Sequence, residues 1–290
     1  NDRLLAARVV DSVIQKVFGV PGPCSSPIAF VMAQGGRKEL FLTYLDSAEM
    51  RQLTRNGSIS TEPSWGNSTQ SLFYTYYEPT RVSVMQLDLA AGRQRRVAYF
   101  AGLNAGAALS PDGRRIALCL SRDGAVELYT MAVSGGGLRR LTRDSAVESS
   151  PCWSPDGRRI CYVSDAGGRP QLYLVSSGGG GGRRLVGDYV ECVSPDWSAT
   201  SNMICAAVRD GGRYVIGVVD MNKGSRSLRI VTPGPGNWEA PTWSRDGRHI
   251  VCTRELSGGL RELCMVDSRL GTVIKLTRPA KISLPDCASR

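Results

Sequence analysis

The sequence predicts an all-β ring built from one repeated four-stranded unit, and three series of residues predict it. The first series opens short apolar runs at Ile28, Leu72, Ile116, Ile160, Ile204 and Ile250 (IAFVM, LFYTY, IALCL, ICYVS, ICAAV, IVCTR), at intervals of 44, 44, 44, 44 and 46 residues. The second falls on Pro63, Ala107, Pro151, Pro195, Pro241 and Pro285, the third on Leu53, Val97, Leu141, Leu185, Val231 and Leu276. Units of about 40–45 residues with four strands each stack as the blades of a propeller. The expected fold is therefore a six-bladed β-propeller of four-stranded antiparallel blades, preceded by one N-terminal α-helix.

The helix comes first. Residues 4–18 (LLAARVVDSVIQKVF) place Leu5, Val9, Val13 and Val17 on one helical stripe, with Val10 and Ile14 beside it, and Gly19 ends the run. The repeat unit is plainest at 151–187: Pro151-Cys-Trp-Ser, a Ser-Pro-Asp-Gly turn, Ile160–Ser164, a polar bend, Gln171–Val175, a glycine run and Arg184–Val186. Proline presets φ for a turn, aspartate can accept from the backbone ahead, and glycine accepts the left-handed exit. Asp112, Asp156 and Asp246 are accordingly expected to cap turns. The second strand is apolar without alternation, so both of its faces should be buried. In the fifth unit the Ser-Pro-Asp at 194–196 is out of register, and Ser198-Ala-Thr-Ser should form the turn instead. The first unit lacks a Pro-x-Trp-Ser strand, while a spare Pro285-Asp-Cys-Ala follows the sixth. The C-terminal strand should therefore complete the first blade and close the ring.

Composition excludes other classes. With 42% hydrophobic and 21% charged residues the chain is ordinary globular material, and 33 Gly with 15 Pro suit a turn-rich β protein. No apolar run approaches the roughly 20 residues of a membrane helix. The net charge of +10 could favour an anionic partner, but arginine pairs recur at 95–96, 114–115, 139–140, 158–159 and 183–184. Spread around a ring, they form diffuse belts rather than a nucleic-acid stripe. Nine Cys lack any Cys-x-x-Cys and a single His completes no zinc pattern, so neither a metal nor a cofactor is expected. The start at Asn1 without Met suggests a processed chain or a fragment.

The repeated Trp-Ser-Pro-Asp-Gly-Arg-Arg-Ile, followed by Gln-Leu-Tyr and Arg-Arg-Leu, resembles the propeller repeat of the TolB family, periplasmic proteins of the Tol–Pal envelope system. AARVVDSVIQKVFGVPGPCSSPIAFV resembles the joint between that family's N-terminal α/β domain and its first propeller strand. Cys24, Cys287 and the altered turns of the second and fifth units depart from the pattern. The resemblance implies that residues 1–20 are the last helix of the N-terminal domain and 28–290 the propeller. It implies a monomeric, periplasmic, non-enzymatic scaffold that docks peptidoglycan-associated lipoprotein (Pal), supporting outer-membrane integrity and envelope constriction at division. The TolA contact, made through the family's extreme N-terminus, would be missing. The alternative is the propeller of a prolyl-oligopeptidase-type peptidase lacking its hydrolase domain, since such propellers carry the same repeat.

Chemistry is sparse. His249 is the one possible imidazole base and sits where Arg115 and Arg159 stand in other units; no Gly-x-Ser-x-Gly elbow occurs, and the glycines 178–182 lack the Lys-Ser/Thr of a phosphate loop. A partner is expected instead on the rim carrying the blade-to-blade crossings. Glu62, Glu148, Glu191 and Glu239 precede the inner strands and are expected to converge near the axis as an acidic spot. Asn104 and Asp144 share those crossings, and Tyr189 and Trp238 are expected to be exposed aromatic anchors. The Arg/Asp mixture of the bends (Arg122, Asp123, Arg209, Asp210) suits a protein–protein rim.

Overall fold

The structure is a computed structural model that describes residues 2–45, 50–187, 191–223 and 227–289. The helix spans Asp2–Phe18, and Gly19, at φ 71°, ends it with its N–H on the Gln15 carbonyl. No residue of this helix is buried; Leu5, Val9, Val13 and Val17 all stand in solvent. Asp11 ties it down, accepting from the Cys24 and Ser25 N–H groups and the Ser25 hydroxyl. No helix among the described residues is long and apolar enough to cross a membrane.

Four sheets hold four antiparallel strands each, and every one begins where an inner strand is expected: Asn104–Leu109, Glu148–Trp153, Cys192–Trp197 and Asn237–Trp243. A fifth sheet holds eight strands. Among the described residues the one strand pairing between its two halves is parallel and joins Lys38 to Ile59, whereas Ile28–Gln34 pairs with Arg37–Thr43 along its whole length. One half starts with Ile59–Trp65. The other starts with the C-terminal strand Ile282–Cys287, which pairs antiparallel with Ile28–Gln34. The expected closure therefore forms.

The second strands behave as their unbroken apolar runs predict. Ile28, Leu72, Ile116, Ile160, Ile204 and Ile250 are all 0% exposed, because each strand is covered by a sheet on either side. The core consequently lies between sheets. One cluster joins Ala117, Leu128 and Leu141 of one sheet to Trp153 and Ile160 of the next; another joins Cys161 and Leu174 to Trp197 and Ile204. The tryptophans latch neighbours together through their polar edge as well. Trp153 Nε1 donates to the Ala108 carbonyl at 2.9 Å and Trp65 Nε1 to that of Asp286 at 2.9 Å, while the Arg115 guanidinium lies 5.0 Å over the Trp153 ring.

The turn chemistry follows the sequence. Asp112 accepts from the Ser110 hydroxyl and Arg114 N–H, Asp156 from the Ser154 hydroxyl and Arg158 N–H, and Asp246 from the Arg248 and His249 N–H groups. In the fifth unit Ser198 does the work alone, its hydroxyl accepting from the Thr200 and Ser201 N–H groups. The cysteines are all free, and eight of the nine are buried.

Candidate binding site at the ring axis

The inner strands share one backbone device. The residue before each repeat proline is left-handed: Glu62 (φ 52°), Ser150 (49°), Ser194 (52°), Ala240 (50°) and Leu284 (48°), with Gly106 (64°) ahead of Ala107. At each of these places the strand register slips, as between Thr61 and Ser64 or Ser149 and Cys152. These are β-bulges, which bend a strand and re-aim the side chains that follow. Around them lies a cavity of about 190 Å3, lined by residues of all the inner strands.

Its polar groups are laced from strand to strand. Asp196 accepts from the Trp243 N–H at 2.7 Å and Asp286 from the Trp65 N–H at 2.7 Å. The Thr242 hydroxyl lies 3.2 Å from Asp196 Oδ2 and 3.1 Å from Asp286 Oδ1. Glu62 accepts from the Thr75 hydroxyl at 2.6 Å and the Gly106 N–H at 3.0 Å. Three carboxylates thus make the throat acidic within a basic protein, while each helps hold neighbouring units in register.

The expected convergence of Glu62, Glu148, Glu191 and Glu239 is corrected. Of the four only Glu62 lines the cavity. The reason is register: they stand one, three, four and two residues before Pro63, Pro151, Pro195 and Pro241, so strand alternation and the bulge send them in different directions. Glu191 sits off the axis, accepting from the Tyr214 hydroxyl (2.6 Å) and Arg209 (3.2 Å); the Tyr214 bond lowers its pKa, burial opposes and Arg209 adds to the lowering. Glu239 pairs with Arg261 at 3.3 Å. Glu148 is 1% exposed, and its pKa is pushed up to about 8, first by burial and then by Asp144. Asp144 is exposed beside it.

Trp238 is likewise corrected. It is 1% exposed rather than a surface anchor, because it lies inside the strand Asn237–Trp243 and packs with Val231 and Trp243, with Arg254 over its ring. Asn104 is fully buried, its amide closing the crossing behind it through the Phe100 N–H and the Val82 and Phe100 carbonyls. Tyr189 lies outside the described residues. His249 sits on the opposite end of its unit from the crossings, its Nδ1 bonded to Asp246 Oδ2 at 2.5 Å, a turn-capping pair. Sequence reasoning missed Asp196 and Asp286. Their signal was available: each directly follows a repeat proline, where other units have Ser64, Ala108, Cys152 and Thr242.

Comparison with known proteins fits this geometry. The family described as TolB beta propeller domain matches residues 14–279. The chain belongs to that family. Among curated relatives, the Tol-Pal system protein TolB of Desulfosudis oleivorans is 30% identical over 137 residues, covering 47% of this chain and 31% of that protein. Its counterpart from Francisella tularensis subsp. tularensis is 33% identical over 128 residues, covering 41% of this chain and 29% of that one. The matched segments thus span about a third of those relatives. TolB from Acinetobacter baumannii superposes at a TM-score of 0.88 with 26% identity, over 99% of this chain and 72% of that one. A puromycin hydrolase superposes at 0.61 with 20% identity, over 88% of this chain and 45% of that one, a likeness of fold alone.

Proposed function

We propose that this chain is a non-enzymatic binding scaffold of the Tol–Pal system, working in the periplasm as a monomer and docking Pal on its propeller. In this reading the eight-stranded sheet counts as two blades, residues 28–290 form a six-bladed ring, and the helix belongs to the N-terminal α/β domain of the family. What supports it is the superposition of nearly the whole chain on a TolB at a TM-score of 0.88. The rim where the inner strands begin supplies the docking face. Half-buried Glu62, Glu191 and Glu239 there present carboxylate oxygens held by Thr75, Tyr214 and Arg261. Anchored acids of this kind recognise basic or amide-rich segments without a large ordering cost. Asp144 extends the same edge.

The test is a calorimetric titration with the soluble domain of Pal. The double variant Glu191→Lys with Glu239→Lys is expected to weaken binding at least several-fold at low salt, with the difference shrinking as salt rises, since rim charges act through long-range attraction. Binding unchanged in a variant that still melts cooperatively would move the docking face elsewhere. Failure of the unmodified chain to bind Pal would overturn the reading itself.

A further inference from the structure

Away from the axis, three acidic side chains meet where one four-stranded sheet passes to the next. Glu127 opens the strand Glu127–Ala132, Glu148 opens the strand Glu148–Trp153, and Asp144 lies in the crossing between them. One carboxylate oxygen from each lies within 4.8 Å of the others. Glu127 and Glu148 are 0% and 1% exposed.

The hydrogen-bond accounting does not close. Glu127 Oε1 takes Arg140 at 2.5 Å and the Asp144 N–H at 2.9 Å, but its Oε2 has no partner among the described residues. Glu148 Oε1 accepts from the Ser164 hydroxyl at 3.2 Å, and its Oε2 likewise has none. A buried carboxylate oxygen with no donor is costly, and two side by side are more so. The repeat shows how a single acid is managed here. Glu39, the counterpart of Glu127, accepts from the Thr54 hydroxyl and the Gly57 N–H, and Ser60 stands where Glu148 does. Two other junctions use neutral pairs, Ser83 with Asn104 and Gln171 with Cys192. Among the described residues only this junction sets two acids against each other, with a third at the mouth and a single arginine in contact.

We propose that Glu127, Asp144 and Glu148 bind a divalent cation of the calcium class. The donor set is hard oxygen throughout, with no imidazole or thiolate, which selects calcium or magnesium over zinc or copper. Oxygens on opposite sides of a calcium ion, each about 2.4 Å from it, stand roughly 4.8 Å apart, so the cluster has the right span. Two charges supplied by the ion would neutralise the excess left after Arg140. Calcium tolerates irregular, partly hydrated shells, which three carboxylates at the edge of a crossing provide, whereas magnesium demands a near-ideal octahedron. The ion would pin the crossing at 141–147 to both sheets. The site is separate from the axial cavity, and it stands or falls independently of Pal docking.

The test uses the whole chain, stripped with chelator and dialysed. Calorimetry and thermal melts are run with calcium chloride and magnesium chloride at about 5 mM, above the roughly millimolar constants of weak oxygen sites. Calcium is expected to bind with heat and to raise the melting temperature by roughly 3 °C or more, magnesium less. Glu148→Gln and Asp144→Asn should each weaken calcium at least about tenfold, the loss expected when one anionic ligand becomes a neutral amide. Glu62→Gln, in the axial cavity, should leave the calcium response intact. No heat and no melting shift with either metal would overturn the proposal, as would a response that survives Glu148→Gln and Asp144→Asn.

Discussion

Asp267 shows how single carboxylates hold this ring together. Its Oδ2 accepts twice from Arg248, at 2.6 and 3.0 Å, and its Oδ1 caps the following turn through the Arg269 and Leu270 N–H groups. Burial alone would raise its pKa above the ordinary 3.8, but those four donors outweigh it and hold the group down at about 2. A depressed folded pKa means that the stability it contributes is present above the unfolded value and lost as pH falls toward the folded one. Asp267→Asn should therefore lower stability near neutral pH by about 1 kcal/mol, a charge-assisted bond discounted for the partly exposed Arg248. Below a pH of about 2 the variant and parent should converge, and acid-melt curves measure this directly. If the gap persists unchanged at the lowest pH, the amide is failing for another reason. At this scale the sequence was legible wherever a residue acts within its own turn, as with Asp112, Asp156 and Ser198. It was harder to read for Asp196 and Asp286, whose partners Trp243 and Trp65 lie in other units, and for Glu127, which meets Glu148 only across the junction with the next sheet.

Among elements, the second strands and their turns could be read because burial on both faces leaves an unbroken apolar run. The inner strands could not be read in full, because the bulge changes which face each residue occupies. Glu148, Trp238 and Glu239 read as crossing residues, whereas each lies inside an inner strand, where the pleat and the bulge decide its side and Trp238 is buried. The bulge also stores backbone strain, since an L-residue in the left-handed region costs about 1–2 kcal/mol. Gly106 avoids this cost; Ala240 does not, and it has no polar side chain to make use of the conformation. Ala240→Gly should therefore stabilise the protein by roughly 0.5 kcal/mol, the relief of strain partly offset by the freer unfolded chain. Ala117→Gly, in a fully buried extended strand, should destabilise it. Thermal melts of the pair decide the matter: if both substitutions lower the melting temperature equally, the left-handed position carries no strain.

For the whole molecule, closure is the property on which the others depend, and it was legible because a spare inner strand appears at the C-terminal end while the first unit lacks one. Ile282–Cys287 completes the first sheet through pairs such as Met32 with Ile282 and Ala29 with Asp286. It buries Ile282, Cys287 and Ala288, and Asp286 bonds Trp65 and Thr242 in the neighbouring inner strands on either side. Removing residues 282–290 would strip one edge of Ile28–Gln34, leaving the apolar run IAFVM paired with Arg37–Thr43 on one side and open on the other. Lost apolar burial alone is worth about 2–4 kcal/mol, and the ladder and the Asp286 bonds add to it, so the melting temperature should fall by roughly 10 °C. The truncated protein should also aggregate through that edge. Asp286→Asn separates the contributions: it keeps the strand and its burial but weakens the bond to the Trp65 N–H, so its loss should be a small fraction of the truncation's. If truncation leaves the melt unchanged, the ring does not depend on its last strand; if Asp286→Asn alone reproduces the full loss, closure rests on the axial carboxylate rather than on strand pairing.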